Sequence, residues 1–167
     1  MPTQRPDAEA LCRILADQMR PQVDLARTAL VGIHTGGVWV AERLHALLGL
    51  HVAPGVLNVS FHRDDYNQRG LQANMHASLL PFETEGAHII IVDDVLYTGR
   101  TIRAAMNELF DYGRPEKIEL AVLVDRGGRE LPIAADYCAH TLTLAAAQML
   151  ELEHAPDGSL SFRLTEK

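Results

Sequence analysis

Two adjacent carboxylates, Asp93 and Asp94, close an unbroken β-branched run, Ile89-Ile90-Ile91-Val92. Three residues further on stands Thr98-Gly99-Arg100-Thr101, and an amphipathic stretch follows at once, with Ile102, Ala105, Met106, Leu109 and Phe110 on one helical stripe. Ionised carboxylates are pure hydrogen-bond acceptors, so a pair of them suits the two donors that vicinal sugar hydroxyls present. A tight turn into a helix N-terminus offers free backbone N–H groups and the positive end of the helix dipole, which suit a phosphate monoester. Residues 93–101 could therefore hold a ribose 5-phosphate at both ends. The plainer alternative is an Asp pair that ends a strand and caps a helix. A second bend of similar composition, Ile33-His34-Thr35-Gly36-Gly37, lies between another apolar run and another helical pattern.

The elements that must position these residues read as an α/β chain. Pro6-Asp7 precedes a helix with Ala8, Leu11, Cys12, Leu15 and Met19 on one face, ended by Pro21. Thr28 to Ile33 reads as a buried strand feeding the second bend. The helix after it turns Val40, Ala41, Leu44, Leu47 and Leu48 inward and stops at Gly49. Val56 to Phe61 reads as a strand, residues 64–77 as a polar lid, and Ile118 to Val124 as a strand after a helix over 101–112. Thr141 to Leu144 and Leu150 to Glu153 read as further strands, and the latter pairs with Leu160 to Leu164 around Pro156-Asp157-Gly158. Strand-turn-helix units of this kind place both bends at one end of a mainly parallel sheet, where they could grip a substrate carrying phosphates at both ends.

The run Val92-Asp93-Asp94-Val95-Leu96-Tyr97-Thr98-Gly99-Arg100-Thr101 resembles the phosphoribosyl-pyrophosphate (PRPP) loop of type I phosphoribosyltransferases, and its wording is close to the PyrR family. Members of that family are uracil phosphoribosyltransferases, and some also regulate pyrimidine operons by binding RNA. The resemblance implies the type I phosphoribosyltransferase fold in a single domain over 1–167, with a small hood at about 124–140 and a C-terminal β-hairpin. It further implies that Asp93 and Asp94 bind the ribose hydroxyls and that Val95, Leu96, Tyr97, Thr98, Gly99, Arg100 and Thr101 form the 5-phosphate loop. His34, Thr35, Gly36 and Gly37 then fall on the pyrophosphate loop, where other PyrR-like sequences commonly carry Lys and Arg in place of His34 and Gly36. Phe61-His62-Arg63-Asp64-Asp65 resembles the segment before the family's mobile loop and makes Arg63 the expected cation for pyrophosphate. Val124-Asp125-Arg126-Gly127-Gly128-Arg129-Glu130-Leu131-Pro132 resembles the hood over the base, which brings Asp125, Arg126 and Arg129 into the expected site. The implied reaction joins uracil to PRPP, giving UMP and pyrophosphate, with Mg2+ held through substrate and water. Relatives form dimers and higher assemblies, so a homo-oligomer, dimer or tetramer, is expected.

Composition narrows the alternatives. The chain has 167 residues, 47% of them hydrophobic, and a net charge of −7. Its two lysines, Lys117 and Lys167, exclude a P-loop and make Schiff-base chemistry a poor fit. Cys12 and Cys138 form no Cys-x-x-Cys pair, so neither zinc nor a disulfide framework is indicated. No apolar run approaches the roughly 18 residues of a membrane span, and a cytoplasmic protein is expected. A second function class is an RNA-binding attenuator that senses a nucleotide. RNA binding leans on Lys and Arg, and the acidic balance disfavours it: the first helix offers Glu9, Arg13, Asp17 and Arg20. A third alternative keeps the chemistry but changes the base, because the acidic pair alone does not select uracil.

Overall fold

The β-branched run ahead of the two carboxylates becomes the middle strand of a sheet. In the computed structural model, which describes residues 5–59 and 78–166, strand β3 (His88–Leu96) sends Ile90 and Val92 into one apolar cluster and Ile89 and Ile91 into another, all four fully buried. Double burial is what a continuous β-branched run favours over an alternating one. Strands β1 (Thr28–Ile33) and β4 (Lys117–Asp125) flank it, β2 (Gly55–Leu57) lies beyond β1, and β5 (Tyr137–Thr141) lies beyond β4. Among the described residues the order is β2-β1-β3-β4-β5, and every neighbouring pair is parallel.

Helices α1 (Ala8–Met19) and α2 (Gly36–Leu48) cover one face together with an antiparallel hairpin, β6 (Gln148–His154) and β7 (Leu160–Glu166). Helix α3 (Arg100–Tyr112) covers the other. This is the type I phosphoribosyltransferase architecture: a parallel sheet between helices, with an added hairpin. The Asp7 carboxylate caps α1 by accepting from the Ala10 N–H at 3.2 Å, and Gly49 ends α2 in the left-handed region at φ 72°.

Some expectations shift. The strand read at 141–144 lies earlier, at Tyr137–Thr141, where Tyr137 pairs in register with Ala121 and Thr141 with Asp125. The strand read from Val56 to Phe61 is the short β2, and from Ser60 onward that reading lies outside the described residues, as do the lid at 64–77 and Arg63. Leu47 and Phe110, placed on inward stripes by periodicity, are exposed, because the buried arcs of their helices are narrower than the sequence pattern.

At the N-terminal ends of the strands polar side chains close on one another. The Asp24 N–H donates to Thr28 Oγ1 at 2.9 Å, and Thr28 Oγ1 lies 3.1 Å from His88 Nδ1. His88 Nε2 lies 2.6 Å from Glu119 Oε1, and the Tyr137 hydroxyl donates to Glu119 Oε2 at 3.0 Å. Burial alone would raise the Glu119 carboxyl, but the hydrogen bonds from His88 and Tyr137 and the Lys117 charge outweigh it and hold the group below the usual carboxylate range. Burial, and then the Glu119 carboxylate, push the Tyr137 phenol up to about 12. At the outer rim of β5, the Gln18 side-chain amide pairs with one peptide in both directions: Nε2 donates to the Cys138 carbonyl at 3.0 Å and Oε1 accepts the Cys138 N–H at 3.1 Å.

Candidate active site

Because β1 and β3 are adjacent and parallel, the bends that follow them emerge side by side. The chain leaves β1 at Ile33, the His34 N–H donates to the Leu57 carbonyl at 2.9 Å, and the His34–Thr35 peptide is cis. Two glycines then let the start of α2 lie against β3. A Cβ built on Gly37 would strike the Val92 carbonyl, and one on Gly36 would strike the Asp94 carboxylate. Gly36 is thus brought against Asp94 and Gly37 against the Asp93 backbone. Thr35 Oγ1 lies 2.9 Å from His34 Nδ1.

Asp93 is nearly buried, and its Oδ1 accepts the Asp94 N–H at 2.9 Å; Asp94 Oδ1 accepts the Val95 N–H at 2.8 Å. Each carboxylate is thereby held by the amide of the residue after it. Val95 and Leu96 finish the strand. Tyr97, Thr98 and Gly99 form the bend, with Gly99 at φ 94°, and Arg100 and Thr101 open α3. The N-cap Gly99 has no side chain to cap this helix, and the Arg100 N–H donates to Thr98 Oγ1 at 3.2 Å. An uncapped N-terminus keeps amides available for an anion.

The hood grips this bend. The Glu130 and Leu131 N–H groups both donate to the Thr98 carbonyl, at 2.9 and 3.2 Å, and Arg129 Nη1 donates to the Tyr97 carbonyl at 2.6 Å. Arg129 also pairs with Asp125, Nη2 to Oδ2 at 2.6 Å. Burial of Asp125 acts upward, but Arg129 and the Gly127 N–H hold its carboxyl below the usual range. Arg126 is buried, with its guanidinium over the Tyr97 ring. Arg100 reaches Glu130 at 3.0 Å on the surface. The sequence reading missed the apolar contact of Ile133 against Gly99, and also the role of Ser78. Ser78 Oγ accepts the Asn58 N–H at 3.0 Å and donates to Glu108 of α3, so Asn58 and Ser78 are tied to the helix that begins at the bend. The Ser78 contacts join residues too far apart for any spacing rule to find.

The donor set suits a hard, oxygen-seeking dication only in part. Among the described residues no group of three His, Cys, Asp or Glu gathers to hold a metal, so the two aspartates would need substrate and water oxygens to complete a shell. Thiol chemistry has no support at Cys12: burial, and then Glu9, push its thiol up to about 11. Among the described residues no helix is long and apolar enough to cross a membrane.

A parallel sheet with an acidic pair and a glycine bend at the ligand end of its middle strand is the architecture of a phosphoribosyl transferase. The family model described as phosphoribosyl transferase domain matches residues 3–145. Similar proteins named Bifunctional protein PyrR occur in Ralstonia nicotianae, 51% identical over 95% of this chain and 92% of the relative, and in Nitrosococcus oceani, 51% identical over 86% and 84%. One from Pseudomonas aeruginosa is 49% identical over 87% and 86%. The chain belongs to the phosphoribosyl transferase family and, within it, to the PyrR family. Among solved structures, a hypoxanthine phosphoribosyltransferase from Staphylococcus aureus superposes with a TM-score of 0.64 at 22% identity, over 83% of this chain and 75% of that one. A hypoxanthine-guanine phosphoribosyltransferase from Bacillus anthracis does so with a TM-score of 0.65 at 15% identity, over 84% of each. At these identities the likeness is one of fold.

Proposed function

We propose that this protein is a uracil phosphoribosyltransferase, working as one domain over residues 1–167 and making UMP and pyrophosphate from uracil and PRPP. The observation that supports this reading is the packing of Gly36 and Gly37 against Val92, Asp93 and Asp94, the stretch of β3 that leads into the bend at 97–99. In the reaction a bond forms from a uracil ring nitrogen to ribose C1 as the bond from C1 to the pyrophosphate oxygen breaks, through a sugar with oxocarbenium character, and the proton of that nitrogen passes to solvent or to the departing pyrophosphate. No protein nucleophile is needed. The chain's task is to hold the ring, receive the leaving group and keep water out.

Asp93 and Asp94 accept from the ribose hydroxyls, and their charge favours a developing cation on the ring. Thr98, Gly99, Arg100 and Thr101, behind Val95, Leu96 and Tyr97, bind the 5-phosphate through amides and hydroxyls. His34, Thr35, Gly36 and Gly37 receive pyrophosphate, with Arg63 as the added cation. The hood, tied together by Asp125, Arg126 and Arg129, covers the base. Mg2+, when bound, would neutralise pyrophosphate charge, held through substrate and water oxygens. The test is transfer from PRPP with magnesium to uracil, hypoxanthine, guanine, xanthine, adenine and orotate in turn. UMP formation above all other products supports the reading, and preference for another base overturns the uracil assignment.

The name of the relatives, Bifunctional protein PyrR, favours a second activity, regulation of a pyrimidine operon through RNA, in a homo-oligomer. The outer face of α1 bears on it, since Arg13 and Arg20 are exposed there, but Arg20 lies 3.5 Å from Asp17. A salt-sensitive gel shift of a pyrimidine-leader transcript at micromolar protein would establish this activity, and no shift at low salt would exclude it.

A further inference from the structure

Arg126 is the most buried cation among the described residues, 6% exposed, and no carboxylate there pairs with it. Such a charge is costly unless something else answers it. Its Nη1 donates to the Gln148 carbonyl at 2.8 Å and its Nη2 to the Ala145 carbonyl at 3.1 Å, at the start of β6. Its Nε is buried without a partner, and its Cζ lies 3.9 Å from the centroid of the Tyr97 ring. The Cδ1–Cε1 edge of that ring is hemmed in by Gly128, where a Cβ would overlap it and where φ is +84°. The guanidinium is thus engaged on its edge by main-chain carbonyls and on its face by an aromatic ring, and it lies between the C-terminal hairpin and the phosphate bend.

We propose that Arg126 is a positioning residue: by clamping the Tyr97 ring against Gly128 it holds the amides of residues 98–101 in an anion-binding arrangement before any ligand arrives. Gly99 brings no side chain to the start of α3, so the bend is held from outside, by the hood at the Tyr97 and Thr98 carbonyls and by Arg126 at the Tyr97 ring. Preorganised donors bind charge well because they do not have to reorient. A guanidinium fits this task where an ammonium does not, since its plane stacks on a ring while its fork reaches two carbonyls. The functional meaning of the clamp rests on the phosphoribosyl-transfer reading, but its structural test does not.

The test uses the full chain as wild type, Arg126→Gln, Tyr97→Leu, the double variant and Tyr97→Phe. Amide hydrogen exchange is followed without ligand, and PRPP affinity by calorimetry with magnesium. Arg126→Gln and Tyr97→Leu should each speed exchange at 98–101 about 10-fold and weaken PRPP about 10-fold, with no further loss in the double variant. Tyr97→Phe, which keeps the ring face, should leave exchange at 98–101 within about twofold. In steady state the KM for PRPP should rise while that for the base stays put. Faster exchange confined to 145–150, additive losses, or a raised base KM with unchanged PRPP binding would overturn the proposal; the last would make Arg126 a substrate contact. If Arg126→Gln does not fold, Tyr97→Leu and Gly128→Ala must still loosen 98–101, and failure of both to do so overturns it. Absence of PRPP binding in the wild type would instead defeat the phosphoribosyl reading, while the exchange pattern still decides the clamp.

Discussion

At the N-terminal ends of β1, β3, β4 and β5 the polar side chains answer one another: Thr28, His88, Glu119 and Tyr137 form a closed row across the strands. At the opposite end, Asp93 and Asp94 bond to the amides that follow them, with Gly36 and Gly37 of the first bend packed against the same stretch of β3. Each end holds carboxylates of the sheet, Glu119 of β4 at one and Asp93 and Asp94 of β3 at the other, yet only the second sets them beside glycine. A carboxylate locked between side chains of neighbouring strands serves stability, whereas one held by main-chain amides at a glycine bend stands where strand ends receive ligands. Ligands of open α/β sheets gather at the carboxyl ends of the strands.

The largest break in the comparison should come from Asp93→Asn and Asp94→Asn. Each should cut phosphoribosyl transfer by about 10²–10³-fold with the urea midpoint close to wild type; steady-state rates and denaturation curves check this together. Glu119→Ala should do the reverse, costing about 2–4 kcal/mol of stability by stranding His88 and Tyr137, while kcat per folded molecule stays at the wild-type value. Gly37→Ala and Gly36→Ala sharpen the contrast inside one bend. At Gly37 the obstacle is a main-chain carbonyl of β3, so a loss of about 1–3 kcal/mol in stability is expected. At Gly36 the obstacle is the Asp94 carboxylate, which yields only by giving up its bond to the Val95 N–H, so PRPP affinity should suffer more than the melting temperature.

Proton linkage gives a smaller effect. Glu119 and Asp125 both titrate below the usual carboxylate range in the folded state. Their stabilisation is therefore complete above the unfolded pKa values of about 4 and drains away as pH falls through the folded ones. Tyr137 works the other way: its contribution is complete below about pH 10 and is lost as pH rises through its folded value of about 12. Urea midpoints measured across pH should show both limbs, and Glu119→Gln should flatten them. Least of all, Glu130→Ala, which removes a half-exposed pair with Arg100, should change stability by no more than about 0.5 kcal/mol.

The open end of the sheet was legible because its chemistry is local. Strand, acidic pair and Thr-Gly-Arg-Thr follow one another within about a dozen residues, and the run fixes the strand, the bend and the start of α3 together. The hairpin was legible through alternation around Pro156-Asp157-Gly158. The closed end was not, because His88, Glu119 and Tyr137 are distant in sequence and join only through strand register. The same cause displaced β5: Tyr137-Cys138-Ala139-His140 has no alternation to announce a strand, and its place is set by β4 and by the Tyr137 bond to Glu119. Arg126 and Arg129 show a third case. Their types and positions stood out in the sequence, but that their donors reach main-chain carbonyls and Asp125 depends on how 145–148 and the bend fold back on them.

Gln18 has a consequence for how copies of this protein can meet. A side chain rooted on α1 occupies both hydrogen-bonding positions of Cys138, so an incoming strand finds that peptide already matched. Extending the sheet past β5, whether into an ordered assembly or a fibril, would first require evicting a tethered amide.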